Sequence, residues 1–151
     1  MIIRAIVISV LTCICTSSLA QTKIAADAIL GKWESSKKNV IVEVYKESNE
    51  YKARILWFDD TDDLSRPKET RRDIYNPDPA LRNRKILGLT VLHDLTYNKK
   101  SGKWENGIIY DTRTGKEWNA SASLVRKGLL KVRGYWHFEF IGRSMTFNRV
   151  K

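Results

Sequence analysis

At 151 residues the chain has room for one domain, and 29% charged against 42% hydrophobic residues suits a folded core with a solvated surface. A formal net charge of +10 draws the protein to anionic partners such as lipid head groups, phosphorylated glycans and carboxylate ligands. The lysines and arginines are scattered with no long basic run, which argues against nucleic acid and for a solvated outer face.

Residues 1–20 read as a signal peptide rather than as part of the fold. Arg4 is a lone basic n-region, Ala5–Cys15 is an apolar run too short to span a bilayer, and Ser18-Leu19-Ala20 is a cleavage site. The expected mature chain is one domain, residues 21–151, exported to the periplasm or beyond the cell. A lipoprotein signal using Cys13 or Cys15 is the competitor, but Thr12 and Ile14 stand where a small residue is wanted. Cleavage after Ala20 removes both cysteines and one charge, Arg4, so +10 becomes +9 and no disulfide is available. No second long apolar segment follows, so no membrane span is expected.

Ile24–Leu30 is expected to make a short helical turn, with Asp27 near its start and Gly31 at its end. Gly31-Lys32-Trp33 opens the first strand. Val40–Lys46 and Glu50–Phe58 alternate as a hairpin, with Val40, Val42 and Val44 on one face and Tyr51, Ala53, Ile55 and Trp57 on another. A long polar loop follows over Asp59–Tyr75. Its Asp59, Asp60, Asp62 and Asp63 lack the glycine and distal glutamate of a calcium loop, and Arg66, Lys68, Arg71 and Arg72 are at hand to neutralise them. Asn76-Pro77-Asp78-Pro79 is a stiff turn, because a residue before proline is pushed out of the α region. It leads through one helical turn at Ala80–Arg84 into a strand over Ile86–Leu95, and fixes Arg82 and Arg84 in place. The remaining strands are Lys103–Asp111, Lys116–Val125, Leu129–His137 and Gly142–Val150. Trp118, Ala120, Ala122 and Leu124 share one face of their strand, and Leu130, Val132 and Trp136 form a core face of theirs. Eight alternating strands on mostly short turns predict an all-β, antiparallel up-and-down barrel, with a flattened sandwich as the alternative.

Gly31-Lys32-Trp33 after a helical turn resembles the opening of lipocalins. That resemblance implies that Trp33 plugs the barrel floor with an arginine across its ring, and Arg149 fits by its position. A closer resemblance rests on four stretches together: Gly31-Lys32-Trp33; Asn76-Pro-Asp-Pro-Ala-Leu-Arg82 with Gly88-Leu89; Gly107-Ile-Ile-Tyr-Asp111 with Gly115-Lys116; and Leu130-Lys-Val-Arg-Gly-Tyr135 with Gly142-Arg143. In these the chain resembles a bacterial family of small secreted proteins known as domain of unknown function 2147, which implies a lipocalin-like barrel and no established activity. Lys85 and Phe147 depart from it, standing where that family commonly has Pro and Trp.

Catalytic signatures are missing. His93 and His137 lack metal-ligand partners at useful spacing, no nucleophile elbow or phosphate loop occurs, and no carboxylate pair stands out. No cofactor is expected. The chemistry that remains is an Arg and Tyr cluster: Tyr110, Arg133, Tyr135 and Arg143, with Arg82 and Arg84 from the connecting segment. These side chains suit a carboxylate or phosphate, or else form a structural network that pins the long loop. By strand parity Arg133 points out, whereas Arg143 shares a side with Phe147 and points in. The leading expectation is a binding module for a small amphipathic or anionic ligand, with Arg143 and Tyr110 lining the open end and Arg82 or Arg84 closing over it. The alternatives are a filled barrel that meets envelope protein, glycan or an anionic surface, and, third, a lipocalin-like enzyme.

Overall fold

The computed structural model describes residues 25–139 and 141–151, so the expected signal peptide, with Cys13 and Cys15, lies outside the described residues. Among these, the strands β1 (Gly31–Ser35), β2 (Val40–Glu47), β3 (Glu50–Phe58), β4 (Thr90–Asn98), β5 (Lys103–Asp111), β6 (Lys116–Arg126), β7 (Leu129–Tyr135) and β8 (Gly142–Arg149) follow one another in space. All neighbours are antiparallel, and β1 pairs β8 through Trp33↔Arg149, Glu34↔Asn148 and Ser35↔Phe147 to close the barrel. No helix among the described residues is long and apolar enough to cross a membrane.

Side-chain alternation puts one face of each strand inside. Val44, Ala53, Leu92, Leu95, Ala120, Ala122, Leu130, Val132 and Phe147 are buried there. Bulges interrupt the pleat, as at Asp94 (φ 59°), where β4 shifts register against β3.

A single 3₁₀ turn, Ala26–Ile29, stoppers one end. Trp33 and Trp104, both fully buried, donate their indole N–H groups to Ile29 O at 2.8 Å and Ala26 O at 3.1 Å. Arg149 lies 4.2 Å from the centre of the Trp33 ring and donates to Leu30 O at 2.7 Å and Ala28 O at 2.5 Å. Here lies the physical reason for the glycine of Gly31-Lys32-Trp33. Gly31 has φ +119°, and a Cβ there would come within 2.8 Å of Arg149 Nη1.

Three expectations need correction. Residues 86–89 form a turn and not the start of β4, although Gly88 N donates to Ile55 O at 2.8 Å and Ile55 N to Leu89 O at 3.0 Å, so the segment still docks on β3. The helical turn after Asp78 is shorter and earlier, Pro79–Leu81, because Asp78 caps Ala80 N at 2.9 Å and Pro79 follows with its φ already set. Trp136 is 59% exposed and not in the core, since β7 ends at Tyr135 and strand parity stops with it.

Candidate functional site

The end opposite the 3₁₀ stopper carries the long connection between β3 and β4, residues 59–89, which is held by two polar knots. In the first, Arg71 donates to Arg66 O at 2.8 Å, Asp60 O at 2.9 Å and Asp63 O at 3.2 Å, and pairs with Asp62 at 2.8 Å. Lys68 N donates to the Asp60 carboxylate at 2.8 Å. The Ser65 hydroxyl, and after it Arg66, lower the Asp63 carboxyl to about 2. The acidic run is thus consumed by local cations and backbone. No group of three or more metal-ligating side chains occurs among the described residues.

The second knot centres on Asp73, which has no exposed surface. Tyr110 from β5 donates its hydroxyl to Asp73 Oδ1 at 2.6 Å, and Asn76 Nδ2 and Arg84 Nε each reach Oδ2 at 2.9 Å. The Arg84 guanidinium sits 5.5 Å from the centre of the Tyr110 ring. Burial, then the bond to Asp73, push the Tyr110 phenol above its usual pKa. Arg82 Nε donates to Asn76 O at 2.7 Å, and Asn76 Oδ1 accepts from Asp78 N at 2.9 Å. Gly115 (φ +68°) completes the docking, because a Cβ there would fall 1.9 Å from Tyr75 O.

Between this pinned segment and the β5–β6 hairpin opens a cleft of about 910 Å³. Asn76, Pro77, Asp78, Leu81 and Arg84 form one wall; Tyr110, Lys116, Glu117 and Trp118 form the other. Trp136 rims it, with its ring 5.6 Å from that of Trp118 and inclined at 72°. Asn119 Nδ2 donates to Trp136 O at 2.7 Å and fixes the backbone there.

Of the residues singled out in the sequence, the structure therefore gathers Tyr110, Arg84, Asn76, Pro77 and Asp78 at the cleft. Arg82 stands behind it as a brace, and Pro79 only starts the 3₁₀ turn. Arg143 is exposed at the mouth and outside the cleft lining. Its strand face leaves the packed core stepwise, from Phe147 at 7% exposure through Met145 at 44%. Arg133 and Tyr135 lie on the outer wall of β7, where burial, then Glu139 and Glu105, raise the Tyr135 phenol. Asp73, Leu81, Lys116, Trp118 and Trp136 are site residues that sequence reasoning passed over or assigned elsewhere. The only hint of Asp73 was a lone acid among arginines before a stiff turn.

No curated protein matches the chain in sequence. Among solved structures it is similar to "Protein HP1028 from the human pathogen Helicobacter pylori belongs to the lipocalin family", with a TM-score of 0.68 and 22% identity over 82% of this chain and 83% of that one. The likeness is one of fold, an eight-stranded lipocalin-type barrel. Residues 31–149 match the family model described as "Uncharacterized protein conserved in bacteria (DUF2147)", and the chain belongs to that family.

Proposed function

We propose that this is an exported binding protein that takes a small amphipathic anion in the cleft at the open end of its barrel. The carrying observation is a cleft of about 910 Å³ that sets the Trp118 and Trp136 rings and Leu81 beside the Lys116 ammonium. Small-molecule sites commonly span roughly 300–1,000 Å³ and combine apolar walls with a few polar anchors. Arg84 and Tyr110 hold the wall by serving Asp73, which leaves Lys116 as the anchor for a carboxylate or phosphate head. Export rests on the residue 1–20 leader and the +9 charge of the chain after cleavage.

Fluorescence titration with fatty acids of graded length tests this reading, with Trp118 and Trp136 as reporters. Medium-chain carboxylates are expected to bind saturably, and Lys116→Gln to weaken them about tenfold, the scale of one charge-assisted hydrogen bond at roughly 1.5–3 kcal/mol. Intact mass of protein recovered from its host is expected to give a chain starting at Gln21. Absence of saturable binding by any anionic amphiphile would remove the proposal in favour of contacts made by the basic exterior.

A further inference from the structure

We propose a second site, for a small phosphate-type oxyanion, on the outer wall of the barrel where β5, β6 and β7 run side by side. Nothing in it is shared with the cleft lining. The cross-strand register builds it: Ser121 is opposite Arg133 and Ser123 opposite Lys131, all on the face turned away from the core. Lys103 joins from β5, and together these side chains line a small cavity of about 80 Å³. That is the liquid volume of roughly two to three water molecules at ~30 Å³ each, the scale of a small oxyanion and not of an amphiphile.

The site already holds an anion from its own chain. Glu139, on the β7–β8 connection, accepts from the Ser121 hydroxyl at 2.6 Å through Oε1. Its backbone carbonyl accepts from Arg133 Nε, while Arg133 Nη1 donates to Ser144 Oγ at 3.0 Å. The Ser121 hydroxyl thus already meets a carboxylate, in a lining that also carries the Ser123 hydroxyl and three cations. Cations gathered at one pocket repel one another unless an anion lies between them. Glu139 is the one carboxylate in the cavity lining. Glu105, the acid on β5 nearest Lys103, is turned to Asn98 at 2.8 Å and Ser101 at 2.7 Å. One carboxylate against three cations leaves the pocket positive, and a doubly charged phosphate with three acceptor oxygens suits it better than a single carboxylate does. Glu139 is exposed and sits on a connection, so an external oxyanion displaces it without opening the barrel. The resident glutamate acts as a competitor that sets the affinity.

The experiment uses the full mature chain and two probes, inorganic phosphate and glycerol 3-phosphate, with no amphiphile present, so its outcome is independent of the cleft. Titrations are followed by amide chemical shifts. Perturbations are expected to centre on Ser121, Ser123 and Lys131. Glu139→Gln is expected to bind phosphate about tenfold more tightly than the wild type, and Lys131→Gln about tenfold more weakly, the scale of one charge-assisted contact in each direction. Equal binding of both probes supports recognition of phosphoryl head groups, and phosphate alone supports a free oxyanion. The proposal is overturned if Glu139→Gln binds neither probe, or if the shifts ignore Lys131→Gln.

Discussion

A carboxylate without exposed surface has to be met by donors from every side, and Asp73 is met by a phenol, an amide and a guanidinium. Tyr110 is the only one of the three that belongs to the barrel, so it ties the loop to the wall. Tyr110→Phe keeps the ring and removes the hydroxyl, which leaves Asp73 Oδ1 short of its donor. The variant is expected to lose about 1–3 kcal/mol in urea denaturation, the cost of an unsatisfied buried polar group, and to expose Arg66 and Arg71 to faster tryptic cleavage. An unchanged midpoint with unchanged cleavage would show that the loop is held by other contacts. At the opposite end the Trp33–Arg149 stack makes the complementary case. Trp33→Ala is expected to cost about 3–5 kcal/mol. Arg149→Ala should cost less, and little more once Trp33 is gone; strictly additive losses would say the two do not support each other.

The 3₁₀ turn is too short to stand alone, and it is fixed from outside. Asp27 accepts from the Tyr51 hydroxyl at 2.6 Å and from Lys46 at 3.0 Å, and these bonds, Tyr51 first, lower its carboxyl below the ordinary value of 3.8. A depressed folded-state pKa gives stability that is present above the unfolded value and is lost as pH falls through the folded one. Wild type and Asp27→Asn are therefore expected to differ in denaturation midpoint at pH 6 and to converge as acid protonates the folded Asp27, below its ordinary value of 3.8. A gap that persists in acid would assign the stopper to its indole bonds alone. At this scale the strands were legible in the sequence because alternation reports directly which face meets the core: Val40, Val42 and Val44, then Ala120 and Ala122, then Leu130 and Val132 all pack as the pattern requires. Residues 86–89 misled because a docked apolar turn buries side chains with no strand pairing, and Trp136 misled because parity was carried past the end of β7. Asp73 was illegible for a different reason. Its chemistry is that of Asp59, Asp60, Asp62 and Asp63 before it, and Tyr110, 37 residues on, is the partner that ties it to the barrel wall.

For the molecule as a whole, closure makes each of the eight described strands bond two others, so none of them is left as an edge to recruit another chain. The two ends of the barrel then divide the work. One is sealed by Trp33, Trp104 and the 3₁₀ turn; the other carries the pinned segment, the cleft and the exposed aromatic rim. Both ends of the described chain belong to the sealed pole: Ala25 directly precedes the turn, and Val150 N donates to Lys32 O at 3.0 Å just before Lys151. Anything attached at either terminus, whether a tether to a surface or a fused domain, therefore hangs from the pole opposite the cleft. A barrel immobilised by its N-terminus presents its mouth outward, away from the support, and keeps it open to whatever diffuses past.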